Sequence, residues 1–400
     1  MIGPGEAWQR LEARLAAPSS ESIARRHAAG RILAEPLTAT CDLPPCDVSA
    51  MDGFALSGPL ADGPLPVAAT IAAGDGPGVE LASGQAAAIM TGAPVPLGAD
   101  RVVPIEQTDG GEERVAIEID VAPGAHIRRQ AEIVGTGDLL LRAGTRLSAA
   151  ALSLAASHGH ENLVVIRAPR VALLVTGDEV VTPTERPAPG QIRDSHSDFL
   201  TVALADLGIA VEHLGIVGDD RSRLEDRLAA GLEADVLLVT GGVSMGRYDY
   251  VEQVLSALGC DTIFDSVAIQ PGKPLVAARH DAGLVFGLPG NPASVMVAYW
   301  LFVRPVLRRL LGSDDAYWHG ALGARLTGDL PGTKGRARFL PGATRIVDGE
   351  IEVEPVTTKG SHDLAAYARG DALVLVPAHA APATPGSEVE ILPLVDWRTG

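Results

Sequence analysis

The chain is predicted to be a multidomain protein in which a central parallel α/β domain is joined to β-rich units, and three observations carry that expectation. Between residues 171 and 311, continuous apolar runs alternate with helical patterns, as in a parallel sheet covered on both faces. From 47 to 139, and again beyond about 320, short alternating segments lie between turn clusters, the texture of all-β units. With 400 residues, of which 46% are apolar, the chain is long enough for several cores. Aromatics supply only 4%, so packing falls to Ala, Val, Leu and Ile.

Taken in order, residues 6–17 have helical spacing, with Trp8, Leu11 and Leu15 on one face. Within 47–139, RVAIEID (114–120) alternates like a strand and GDGPG (74–78) reads as a turn. SAAALSLAASH (148–158) is an Ala-rich helix. The runs VALLV (171–175), DVLLV (235–239) and GLVFG (283–287) are predicted buried strands, and helical patterns follow at 196–207, 221–232, 250–258 and 292–311. EIEVEPV (350–356) and SEVEILPL (387–394) alternate again, which predicts a C-terminal β domain.

Composition excludes some functions. A net charge of −18 argues against nucleic acid, which requires a basic surface to displace counterions. It also sets the average field against any anionic ligand, so a site for one must build its own positive potential. Cys41, Cys46 and Cys260 make no disulfide framework and match no zinc spacing, which suggests a reducing compartment. The stretch MIGPGEAWQRLEARLAA does not read as a signal peptide, and the longest apolar run, 295–303, is too short for a membrane span. A soluble, cytoplasmic protein with no nucleic-acid or membrane partner is expected.

Each predicted buried strand ends in a distinctive loop: TGDE (176–179), TGGVSMG (240–246) and LPGNPAS (288–294). Ligands of open parallel sheets sit beyond the carboxyl ends of the strands, so these loops share the expected binding edge. Their glycines permit close backbone approach, and Pro292 suits a first helical position, so a helix N-terminus is expected to face an anion there. Lys273, in QPGKP (270–274), is one of three lysines and can add charge. Asp178, Glu179 and Asp249 are oxygen ligands of the type that hard divalent cations take. The loops contain neither a Walker sequence nor GxGxxG.

With these loops in view, the chain resembles the molybdopterin molybdenumtransferases, the family of bacterial MoeA and the gephyrin E domain. The matching stretches are PPCDVSAMDGFAL (44–56), IMTGAPVPLGADRVVPIE (89–106), LVTGDEV (174–180), GQIRDSHSDFL (190–200), TGGVSMGRYDYV (240–251), QPGKP (270–274) and LPGNPAS (288–294), with a fitting tail at 358–377. The resemblance implies a homodimer of four-domain subunits. These are a linking helical/extended domain (1–46 together with 140–169, whose first helix can pack on the α/β domain), a small β-rich domain (47–139), a molybdopterin-binding α/β domain (170–314) and a C-terminal β-barrel-like domain (315–400). The implied cleft lies between the α/β domain of one subunit and the small β domain of its partner.

The implied reaction takes adenylylated molybdopterin and molybdate as substrates, inserts molybdenum into the dithiolene and releases AMP, with Mg2+ as cofactor. A molybdopterin adenylyltransferase is the implied upstream partner. Carried over by position, Asp52, Thr91, Glu179 and Asp249 match catalytic residues, Glu179 and Asp249 being the metal candidates. Thr176, Gly177, Asp178, Gly241, Gly242, Ser244, Gly246, Lys273, Pro289, Gly290, Asn291 and Ser294 are the substrate-binding candidates. The sequence departs from the family pattern at RRQAEI (128–133): Ala131 replaces a glycine and Ile133 a functional aspartate, leaving Glu132, the nearest carboxylate, as the catalytic candidate in its place. Gln270 stands where many relatives carry lysine. An insertase is the leading reading, and a molybdopterin-binding paralogue with weak or no insertase activity is the alternative. A scaffold of gephyrin's kind has no specific support, since no long Pro/Ser-rich linker is present.

Overall fold

The computed structural model describes residues 1–60, 62–242, 250–281 and 283–394. The chain divides into two compact units, Met1–Glu21 with Ile166–Gly400, and Ser22–Val165.

The first unit contains a six-stranded sheet. Its strands are β1 (Val171–Thr176), β2 (Val211–Val217), β3 (Val236–Thr240), β4 (Asp261–Phe264), β5 (Val276–His280) and β6 (Gly283–Leu288), in the order β2-β1-β3-β6-β5-β4. The first four of that order run parallel, in registers such as Val171↔Val236 and Val236↔Leu284. β5 and β4 extend the sheet antiparallel, an addition the sequence pattern did not announce. Likewise β2, VEHLGIV, alternates irregularly because it lies at the sheet edge and is only partly covered.

Side-chain alternation divides the strands between two cores. Val171, Leu173, Val236, Leu238, Leu284 and Phe286 face one side, where they meet Trp8 and Leu11 of α1 (Pro4–Glu12), Leu200 and Leu204 of α2 (His196–Ala205), and the helical run 292–310. Ala172, Leu174, Leu237, Val239 and Val285 face the other, against α3 (Arg221–Gly231) and α4 (Val251–Ala257). Helix α1 starts before and ends well short of the expected 6–17, so Leu15 lies beyond it, though Leu15 still packs against the core. Pro4 occupies a first-turn position, Ala7, Trp8 and Leu11 are buried, and Glu6 pairs with Arg10 one turn on at 2.7 Å. The run 292–310 contains a π-turn at Tyr299–Val303 between two α-helical stretches. Pro305 explains it: proline has no N–H for an α-type bond, and widening the preceding turn accommodates that loss.

Beyond this run, five strands close into a barrel: β7 (Leu322–Leu326), β8 (Ala337–Val347), β9 (Glu350–Pro355), β10 (Ala372–Val376) and β11 (Glu388–Pro393). β8 pairs with both β9 and β10, and β7 joins β9 to β11, which completes the circuit. A short strand, Ile269–Gln270, runs parallel to the start of β8, with Gln270 opposite Arg338. It belongs to the segment that carries Lys273.

The second unit holds a five-stranded sheet, in the order Arg101–Pro104, Gly53–Leu56, Ala86–Ile89, Leu65–Ile71, Arg114–Val115. Of RVAIEID, only the first two residues form strand. Val115 is fully buried and Ile117 packs beside the core, but Ile119 is 58% exposed, so the alternation outlasts the surface it could cover. The helix Ala149–Ser157 forms as expected; Ser148 Oγ accepts from the Ala151 amide at 3.2 Å, and Ala151 and Ala155 pack near Leu33 and Val165. Among the described residues, no helix is long and apolar enough to cross a membrane.

One buried contact ties α2 to the π-turn. Tyr299 is 1% exposed; its hydroxyl donates to the Ala203 carbonyl at 2.6 Å and its ring meets Phe199 edge-on at 5.5 Å. Burial pushes the Tyr299 pKa up, so the bond is made by the neutral phenol. Tyr299→Phe is expected to cost about 1–2 kcal/mol by leaving that carbonyl unsatisfied. A lower urea midpoint at unchanged slope, followed by tryptophan fluorescence, is the measurement that checks it.

Candidate active site

At the carboxyl edge of the α/β sheet the TGDE and LPGNPAS loops meet the described start of the second loop, Thr240, Gly241 and Gly242. Thr176, the last residue of β1, is buried, and its hydroxyl donates to the Thr240 carbonyl at 3.2 Å. The chain leaving β3 then crosses over Thr176 through Gly241 (φ 86°) and Gly242 (φ 63°). A Cβ on Gly241 would lie 2.5 Å from the Thr176 carbonyl oxygen, and one on Gly242 would lie 2.9 Å from Thr176 Oγ1. Both positions therefore need glycine, for φ and for space. The Gly241 amide donates to the Leu288 carbonyl at 3.0 Å, which fastens this crossing to the loop that carries Pro289, Gly290 and Asn291.

The two acids after β1 diverge. Asp178 Oδ1 accepts from the Asp219 amide at 2.9 Å, so this carboxylate serves the turn that follows β2. Glu179 is exposed, and its carboxylate lies over Gly177, with Oε2 2.7 Å from where a Cβ would stand. Its carbonyl accepts from Ile192 N at 2.8 Å, which ties the TGDE loop to the GQIRDSHSDFL segment. There the buried Asp194 accepts from the amides of His196 (2.9 Å) and Ser197 (3.1 Å) and starts α2. Burial pushes the pKa of His196 down, against the opposing pull of Asp194. Asp194 was missed by sequence reasoning, although an Asp just before a helical pattern is a capping signal.

The expected anion-binding helix N-terminus is not what the third loop offers. Pro292 has no amide, the Ala293 amide donates to the Ser361 carbonyl (3.1 Å), and those of Ser294 and Val295 return to the Asn291 carbonyl (3.0 and 3.1 Å). Positive potential comes instead from side chains in an adjoining cleft of ≈ 270 Å³. On one wall are Gln270, Lys273, Pro289, Asn291 and Ser294; on the other are Arg336, Arg338, Thr358 and Ser361, from the barrel. No Asp or Glu lines it, in a chain that has 50 of them. Arg338 Nε is buried with no hydrogen-bond partner among the described residues, so a donor is left for a ligand. Sequence reasoning placed Lys273 and Ser294 near the edge but missed the barrel residues. The cations in TKGRARF (333–339) were the available signal.

In the second unit, Asp52 and Thr91, 39 residues apart, meet directly. Asp52 Oδ1 accepts from the Thr91 amide at 2.6 Å and from its hydroxyl at 2.8 Å. The Thr91 amide and then its hydroxyl hold the Asp52 carboxyl below the usual value of 3.8. Met51 and Met90 are exposed beside them in sequence, and the amide of the exposed Ile105 donates to the Asp52 carbonyl at 3.0 Å. The RRQAEI turn is held separately. Asp47 accepts from Arg129 (2.6 Å) and from the Gln130 amide (2.8 Å), and Ala131 takes a left-handed φ of 59°, which glycine would hold at less cost. Glu132 Oε2 accepts from the Arg129 amide at 2.7 Å, so the nearest carboxylate to position 133 caps its own turn, while Ile133 is 61% exposed. Ser244, Gly246 and Asp249 lie outside the described residues.

Because the Asp52 pKa is depressed, the stabilisation from its hydrogen bonds is present above the unfolded value and is lost as pH falls through the folded one. Thr91→Val should raise the Asp52 midpoint only part of the way to 3.8, since the amide donor remains. Carboxyl-carbon NMR titration reads this, and an unchanged midpoint would mean that the hydroxyl contributes nothing.

Comparison with known proteins gives matches along most of the chain. Residues 2–159 match the MoeA N-terminal region (domain I and II), 172–309 the probable molybdopterin binding domain, and 323–394 the MoeA C-terminal region (domain IV). A molybdopterin molybdenumtransferase of Nostoc sp. is 38% identical over 91% of this chain and 86% of its own. Molybdopterin molybdenumtransferase 2 of Mycobacterium tuberculosis is 36% identical over 82% of each chain. A crystal structure of the molybdopterin biosynthesis MoeA protein from Pyrococcus horikoshii superposes with a TM-score of 0.86 at 29% identity, over 99% of this chain and 100% of that one. A second structure of MoeA from the same organism gives 0.78 at 26%, over 98% and 99%. With three domain matches in order and relatives above 30% identity along most of its length, the chain belongs to the molybdopterin molybdenumtransferase family.

Proposed function

We propose that this protein is a transferase of molybdenum cofactor biosynthesis: it inserts molybdenum from molybdate into the dithiolene of adenylylated molybdopterin and releases AMP. The observation that carries this reading is the acid-free cationic cleft beside the glycine crossing. One loop, 288–291, takes part in both, so a pyrophosphate-bearing substrate laid on the Gly241–Gly242 backbone extends toward Lys273 and Arg338. Lys273 supplies a point charge, Arg338 a planar fork, and Ser294 and Ser361 polar groups, a set suited to phosphate or tetrahedral oxyanion oxygens. Asp52 contributes an anion that the Thr91 hydrogen bonds keep ionised.

Mg2+ belongs to this reading. Glu179 is an exposed oxygen donor of the type that cation takes, and Asp249, outside the described residues, is the second candidate. When bound, the cation would neutralise phosphate charge as the bond to AMP breaks. Thr176, Gly177, Gly242, Pro289, Gly290 and Asn291 shape the substrate bed, and Asp178 holds the neighbouring turn. The active species in this reading is a cytoplasmic homodimer, supplied by a molybdopterin adenylyltransferase that makes the adenylylated substrate.

One observation favours the alternative, a molybdopterin-binding paralogue with little turnover: Ile133 is exposed where the family pattern has a carboxylate, and Glu132 is engaged by its own turn. The deciding experiment incubates the purified protein with adenylylated molybdopterin, molybdate and Mg2+ and measures AMP release and cofactor formed. Asp249→Asn should lower turnover by about a hundredfold, the scale for losing one electrostatic contributor. Tight substrate binding without AMP release, restored by Ile133→Asp, would identify the paralogue instead. Sedimentation should give a dimer at micromolar concentration, and a fully active monomer would exclude that assembly.

A further inference from the structure

The chain has three lysines, and every other fixed cation is arginine. All three lysines lie in the cleft's lining or within two residues of it in the sequence. Lys273 lines it, Lys334 stands two residues before the lining Arg336, and Lys359 lies between the lining residues Thr358 and Gly360. We propose that Lys334 and Lys359 form an electrostatic collar that draws multiply charged oxyanions into the Lys273–Arg338 cleft. This rests on the functional reading above and adds two residues to it.

The physical need is clear from the charge. A molecule carrying −18 repels an anionic substrate at long range, so capture requires a local region of opposite sign. The lining itself holds no acid, and Lys334 and Lys359, which flank lining residues in the sequence, are both exposed. They sit on separate, held loops. Arg336 N donates to the Lys334 carbonyl at 2.8 Å, and Lys359 N donates to Asp363 Oδ2 at 2.9 Å. Asp363 is the opposing charge on the second loop, and the amides of Lys359 and Ala366 hold its pKa low, so it remains an anion that partly offsets Lys359.

The choice of lysine fits attraction better than retention. Arginine presents a rigid fork that grips an oxyanion in two places, whereas lysine is a compact, well-hydrated charge on a flexible stem. A substrate that must pass through the rim is drawn by such a charge without being held there. The effect reaches about one Debye length, roughly 8–10 Å near physiological salt.

The test is a salt series on the double variant Lys334→Gln/Lys359→Gln. AMP release from adenylylated molybdopterin with molybdate is measured at about 20 mM and about 500 mM KCl, where screening differs several-fold. The expected result is a roughly fivefold loss in kcat/KM at low salt, with kcat within about twofold and the gap closing at high salt. Lys→Arg at both positions should restore the rate. Equal kcat/KM at low salt, or a loss that persists at high salt, overturns the collar. If the unmodified protein releases no AMP, the functional reading fails by itself, and the collar is judged by binding of molybdate and, separately, of inorganic pyrophosphate. Weaker low-salt binding of either anion in the variant supports it and identifies the anion; no change for both overturns it.

Discussion

The passage of Gly241 and Gly242 over Thr176 is the constraint on which the site depends. It is a contact of backbone on backbone, so its tolerance is set by atomic radii rather than by side-chain adjustment. Thr176 closes the end of β1, the glycines continue β3, and the amide of Gly241 reaches the end of β6. Three parallel strands are thus joined at their carboxyl ends by a few atoms. Everything beyond that junction, including Glu179 and the Pro289–Asn291 loop, takes its position from it.

Charge is handled by the same economy. In a strongly acidic chain, the cleft that Lys273 and Arg338 line holds no acid, and the other two lysines stand within two residues of its lining in the sequence. Among the described residues, most of the candidate carboxylates are individually held. Asp52 is fixed by Thr91, Asp178 by the Asp219 amide and Glu132 by the Arg129 amide, and Glu179 alone of these stands over bare glycine. Carboxylates already bonded to amides are poor cation ligands, because their lone pairs are engaged and their orientation is set.

Much of this was legible from residue order. The β1, β3 and β6 runs are apolar on both faces, and the loops after them carry glycines that no buried strand would need; spacing alone therefore located the edge. Pairing of Asp52 with Thr91 was accessible only through the resemblance, since 39 residues separate them and each by itself reads as a turn. The helix N-terminus at Pro292 misled, because sequence shows that amides exist but not that Ser361 and Asn291 have already taken them. The barrel wall of the cleft stayed hidden for a related reason. Arg338 becomes a neighbour of Gln270 only when two distant strands pair, and no local pattern encodes that meeting.

That strand pairing acts as a ruler. Gln270 and Arg338 occupy matched positions in a ladder, so the separation of the Lys273 loop from the barrel guanidinium is fixed by main-chain hydrogen bonds. Successive residues on a strand face opposite ways, and the neighbour of Arg338 is Phe339, fully buried in the core. One residue inserted or deleted just ahead of β8 would exchange the two, turning an arginine into the hydrophobic interior and a phenylalanine into the cleft. Chain length in that segment is therefore as tightly specified as residue identity, while the β8–β9 hairpin tip at Asp348–Gly349 can vary in length freely. Evolutionary drift in this barrel should leave its record at the tip and almost none at the root.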